Sequence, residues 1–92
     1  MNIIICGAGR VGFSISKQLS AQGHSITVID QSSELIQKIN DTQDVKGFVG
    51  RATFPSVLEK AGAKDADMII AVTQNDETNM VICQVAYSIF KI

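Results

Sequence analysis

The residues of this chain best suited to chemistry fall within its first thirty positions. Gly7, Ala8, Gly9, Arg10, Val11 and Gly12 spell a complete G-x-G-x-x-G, and Asp30 follows later. The hexamer alone is a weak signal, because glycine-rich stretches are common, and its meaning comes from what flanks it. A β-branched run, Asn2 to Cys6, leads into it and an amphipathic period leads out. In that setting Gly7 permits a tight turn off a strand. Gly9 lets the backbone approach a pyrophosphate, and Gly12 lets a helix pack closely on a sheet. The helix then aims unpaired N–H groups, together worth roughly half a positive charge, at the phosphates. Arg10 either adds a charge from the loop or stands as a solvated surface arginine, and its type permits both.

Asp30 ends a second apolar run, Ser25 to Asp30. An acid there can accept hydrogen bonds from both hydroxyls of an adenosine ribose. The same residue can also serve as a helix-capping Asp ahead of Gln31 and Ser32. A carboxylate at this point repels a 2′-phosphate and so favours NAD over NADP, whereas Arg51 would act in the opposite sense if it neighbours the adenosine. Gln31, Arg51 and Ala52 join the expected contacts at this end. Thr73 and Asn75 border the loop expected to face the far half of the ligand, where Thr73 and Asp76 can equally well do no more than cap a helix.

The elements that must position these groups follow a strand–helix rhythm. After the strand at Asn2 to Cys6, Val11, Ile15 and Leu19 mark one face of a helix ending near Gln22-Gly23. The strand Ser25 to Asp30 precedes a helix capped at Ser32-Ser33-Glu34 and carrying Leu35, Ile36 and Ile39. Val45 to Val49 reads as a third strand, with Pro55 opening and Gly62 closing the helix after it. Met68 to Val72 reads as a fourth strand, and a last helix opens at about Asp76 and carries Val81, Ile82, Val85, Ala86, Ile89 and Phe90. Strands apolar on both faces, alternating with helices, imply an α/β fold: a Rossmann-type, doubly wound parallel sheet. Residues 1–92 are expected to form a single domain with four strands, stopping before the last two strands of the complete fold. The fourth strand would then be an open edge beside an apolar helix. From this we expect a homodimer through the last helix.

Composition removes other classes of function. Apolar residues at 46% and charged residues at 18% suit a packed globule. A net charge of −1 without a Lys/Arg cluster offers no field for a nucleic-acid backbone. No apolar run is long enough to span a bilayer. Cys6 and Cys83 lack metal-type spacing and read as small buried hydrophobes in a reducing cytoplasm. The single histidine, His24, falls in a turn expected at the end of the sheet away from the nucleotide, and no nucleophile has a neighbouring base. No catalytic residue and no metal site is expected.

The stretch Ala63-Lys64-Asp65-Ala66-Asp67-Met68-Ile69-Ile70-Ala71-Val72-Thr73-Gln74-Asn75-Asp76-Glu77-Thr78-Asn79-Met80-Val81, continued by Cys83 to Phe90, resembles the nucleotide-binding domains of potassium-transport regulators known as KTN or RCK domains. The likeness covers essentially the whole chain, and the Asp76-Glu77-Thr78-Asn79 segment is its most specific part. It implies a non-enzymatic Rossmann-type domain that binds NAD(H), or ATP and ADP as in sister proteins. It also implies assembly into dimers or rings in the cytoplasm, beneath a membrane-embedded potassium transporter subunit. By motif match, Gly7 to Gly12 would hold phosphates and Asp30 the ribose. Thr73 and Asn75, with Asp76, Glu77 and Asn79, would border the distal half of the ligand. Arg51 departs from the small polar or acidic residue common at its position. The competing reading is the amino-terminal cofactor-binding piece of an NAD-dependent dehydrogenase; a nucleotide-free module would leave the glycines unexplained.

Overall fold

The computed structural model describes all 92 residues, in the order β1 (Asn2–Cys6), α1 (Arg10–Ala21), β2 (Ser25–Asp30), α2 (Ser33–Thr42), β3 (Lys46–Val49), α3 (Pro55–Lys60), a 3-10 turn (Ala63–Asp65), β4 (Met68–Ala71) and α4 (Asp76–Val85). A π-helical segment, Ala86–Phe90, continues α4. All strand pairs are parallel, in the spatial order β3-β2-β1-β4. The chain therefore builds outward from β1 to β3 and then crosses back to lay β4 on the other side of β1. Such a reversal opens a crevice at the carboxyl ends of the strands.

Alternation along β1 explains the layering. Ile3 and Ile5 face one side with Ile26, Val28 and the α2 residues Ile36 and Ile39. Ile4 and Cys6 face the other, packed with Ile29, Leu58 and Ile82. Both faces of the central strands are thus covered, as parallel sheets require. β3 and β4 form the two edges.

The elements match the sequence expectation to within a residue at β3 and β4, and α3 ends before Gly62, which is left-handed at φ 96°. Three expectations need correction. Val11 does not face the sheet and is 57% exposed; the buried line of α1 runs through Gly12 and Ser16. A Cβ on Gly12 would lie 1.7 Å from the carbonyl oxygen of Gly7, so α1 is drawn down at its small residues and Val11, one position back on the helix, turns outward. Cys83 is exposed, because Ile82 and Ala86 take the inward face of the last helix; only Cys6 is buried. The cap of α4 is neither Thr73 nor Asp76 but Asn75, whose side chain accepts from the Thr78 N–H at 2.8 Å.

Gly12→Ala should therefore cost more than about 3 kcal/mol, beyond ordinary overpacking, because backbone and not a side chain must move. Gly9, whose Cβ would meet nothing within 4 Å, should accept Ala within about 0.5 kcal/mol. Urea unfolding of the two variants checks both; equal losses would refute the assignment.

Candidate functional site

A cavity of about 350 Å³ opens at the carboxyl ends of the strands, at the low end of volumes typical for small-molecule sites. Its walls come from the ends of all four strands and the loops that follow them: Gly7 and Gly9 at β1, Asp30 and Gln31 at β2, Arg51 at β3, and Thr73, Gln74 and Asn75 at β4.

The first loop is shaped by steric limits. Gly7 adopts φ 124°, which side chains rarely tolerate, and a Cβ there would sit 2.7 Å from the Val72 carbonyl oxygen. Its N–H donates to the Ile29 carbonyl at 2.8 Å, which turns the chain back against β2. Gly9 is the residue before the first turn of α1, and that helix start has no side-chain cap. The starts of α2 and α4 differ: Ser32 accepts from the Leu35 N–H at 3.2 Å, and Asn75 caps α4. Asp76 and Glu77 further neutralise the first turn of α4. Among these three helix starts, that of α1 alone has none of its N–H groups taken by a side chain, which leaves them for an anion from outside the chain.

Asp30 lies where these loops meet. Its Oδ2 accepts the Ala8 N–H and its Oδ1 the Ser32 N–H, both at 2.8 Å. Ser32 and not Asp30 therefore caps α2, while Asp30 ties down the approach to that cap, and each of its carboxylate oxygens retains a further lone pair. The structure separates the hexamer into residues with different duties. Gly7 and Gly9 line the cavity, while Ala8 is buried and contributes its N–H to Asp30. Gly12 serves packing, and Arg10 and Val11 are exposed and do not line the cavity.

On the β3 side, Arg51 donates from Nε to Gln31 Oε1 at 3.1 Å, and Ala52 sits beneath them, packed into the core. At the far end Asn79 does not line the cavity. Its side-chain oxygen accepts from the Thr73 N–H at 2.9 Å and from the Thr73 hydroxyl at 2.6 Å, and its amide donates to the Thr73 carbonyl at 3.2 Å. With that hydroxyl proton spent on Asn79, Thr73 Oγ1 accepts from the Asn75 N–H at 3.2 Å. Asn79 is thus a clasp between the end of β4 and the first turns of α4. Sequence reasoning missed the floor of the cavity, made by Cys6, Ile29, Leu35, Val72 and Ile82. Nothing in their types marks them apart from other core residues. Thr78, which it also missed, stands one turn into α4 beside the clasp. His24 lies at the opposite end of the sheet, with Nδ1 3.2 Å from the Met1 nitrogen.

The TrkA-N domain model matches residues 3–92. The chain belongs to the TrkA-N domain family. It is 47% identical over 92 residues to the Trk system potassium uptake protein TrkA of Azorhizobium caulinodans, covering all of this chain and 20% of that relative. The chain therefore spans about a fifth of the length of that relative. Among solved structures, the Kef CTD of Shewanella denitrificans in its AMP-bound form is 31% identical with a TM-score of 0.86, covering 99% of this chain and 54% of that one. The TrkA-N domain of the inner membrane protein ybaL from Escherichia coli superposes with a TM-score of 0.86 at 22% identity, over 95% of this chain and 64% of that one. Membership agrees with the Rossmann-type fold of this TrkA-N domain.

The cavity floor also generates a pH prediction. Burial pushes the Cys6 thiol up from 9.0 to about 12, and Cys83 adds to the shift. The unfolded chain ionises this thiol first, so the stability it lends is whole below pH 9.0 and is lost as pH rises toward 12. In urea unfolding at about pH 8 and about pH 10, the native chain should lose more stability than Cys6→Ala does. Parallel losses would show that the thiol contributes nothing.

Proposed function

We propose that this TrkA-N domain binds an adenine nucleotide, NAD(H) in the first place and ATP or ADP in the second, as a conformational signal for a Trk-type potassium uptake system. The observation that carries this reading is the uncapped start of α1, opening onto the same cavity as Asp30. Phosphates would take the N–H groups of that helix start and the ribose hydroxyls the remaining lone pairs of Asp30. The AMP-bound form of the similar Kef domain supports the choice of an adenine nucleotide. On this reading the domain works in the cytoplasm and passes its state to a membrane-embedded transporter subunit; no helix here is long and apolar enough to cross a membrane.

A ligand shifts an equilibrium only by its difference in affinity for the two states. Oxidised and reduced nicotinamide, or ATP and ADP, differ at the end remote from adenosine. Discrimination then belongs to the loop after β4, where Gln74 is exposed on the cavity wall and the Thr73–Asn79 clasp leads into α4. Calorimetric titration with NADH, NAD, ATP and ADP tests this. Asp30→Ala should weaken all four alike, by tenfold or more for the loss of charge-assisted bonds, whereas Gln74→Ala should change their ranking. An unchanged ranking in Gln74→Ala would end the signal-discrimination part. Absence of any binding would end the nucleotide part.

The readout proposed for this signal is a homodimer through the last helix. Met80, Val81, Tyr87 and Ile89 leave between 47% and 72% of their surface exposed along α4 and its continuation, beside the open edge of β4. An apolar face of that kind favours a partner. Light scattering of the 92-residue chain at high micromolar concentration should report a dimer that Tyr87→Glu or Val81→Glu dissociates. A monomer at that concentration would refute it.

A further inference from the structure

Two charged side chains line the cavity, Asp30 and Arg51, and they sit at the same end of it. An acid after β2 normally excludes a phosphate on the ribose 2′-oxygen. Here the exclusion is blunted in two ways. Both oxygens of Asp30 already accept backbone N–H groups, from Ala8 and Ser32, which offset part of its charge. The backbone then brings a cation beside it: the Gly50 N–H donates to the Asp30 carbonyl at 2.9 Å, and Arg51 is the next residue.

The guanidinium is held there without being neutralised. Its Nε donates to Gln31 Oε1 at 3.1 Å, while Gln31 directly follows Asp30. The ion pair in this structure is Lys64 with Glu59, so no carboxylate engages Arg51. Its two terminal nitrogens form no hydrogen bond within the chain, and a guanidinium presents such donors as a planar fork matched to phosphate oxygens. Arg51 is exposed, and its hydrogen bond to Gln31 sets it beside the partly satisfied acid at one end of the cavity.

We infer that Arg51, tethered by Gln31, gives the adenosine end of this cavity a seat for a 2′-phosphate, so that it takes NADP(H)-type as well as NAD(H)-type ligands. This rests on the nucleotide reading above and names a ligand class within it. The probes are 5′-AMP and 2′,5′-ADP, which differ only in the 2′-phosphate. Calorimetry on the 92-residue chain should find 2′,5′-ADP bound at least as tightly as 5′-AMP. Arg51→Ala should weaken 2′,5′-ADP by about tenfold or more and change 5′-AMP by less than about threefold, as expected for loss of a charge-assisted contact to one group. Gln31→Ala, which frees the guanidinium without removing it, should fall between. Both side chains are exposed, so thermal unfolding of the variants should match the parent. Binding of 5′-AMP with rejection of 2′,5′-ADP would overturn the inference and leave the nucleotide reading standing. Equal weakening of both probes in Arg51→Ala would overturn it too, by making Arg51 an adenosine contact without phosphate preference. Failure of both probes to bind the parent chain would overturn the nucleotide reading, and this inference with it.

Discussion

The carboxylate of Asp30 accepts one N–H from the glycine loop and one from the approach to α2, each at 2.8 Å, and the geometry of the cavity follows from that pair of bonds. A charge-assisted bond contributes about 1.5–3 kcal/mol, more than a neutral one, so the loop after β1 is held firmly to the end of β2. Gly7 adds a second tie through its own N–H to Ile29. With the loop tied at both points, α1 begins just after Gly9, which lines the cavity, and that start has no side-chain cap. Asp30 is thus first a structural anchor, and on the proposed function its remaining lone pairs are what a ribose would use.

A second constraint works from below. The Gly12 Cα lies so close to the Gly7 carbonyl that only hydrogen fits between them, and a Cβ on Gly7 would come within 2.7 Å of the Val72 carbonyl oxygen just past β4. The loop is therefore sandwiched between a helix and the neighbouring strand, and its glycines answer to different neighbours. Gly7 and Gly12 answer to the chain itself. Gly9 answers to empty space, which is the condition for a backbone that a ligand must approach.

The far end of the cavity is organised by other means. Asn79 spends its side chain on Thr73, and Asn75 spends its own on capping α4. The loop after β4 is thus bonded directly to the first turn of α4, which runs on into the exposed apolar face at Tyr87 and Ile89. The two ends of the site differ in kind: a rigid anchor at Asp30, and a linked loop and helix at Thr73 to Asn79.

The order of strands and helices, the glycine turn and the acid at the end of β2 were all legible in residue types and spacing. Period-two and period-3.6 patterns and glycine breaks are local properties, and they survive folding unchanged. Even the cap at Ser32 and the place of Pro55 in the first turn of α3 followed from residue type and position. Which surface of a helix meets the sheet was less secure: a four-residue apolar spacing pointed to Val11, yet close contact at Gly12 and Ser16 turned Val11 to solvent. The tertiary structure alone decided which residues share the cavity. Arg51 meets Gln31 only because β3 lies beside β2, and Cys6, Ile29 and Ile82 form one floor only because the chain crosses back to place β4 next to β1. Such meetings depend on the order of strands across the sheet, a long-range property that no local spacing encodes.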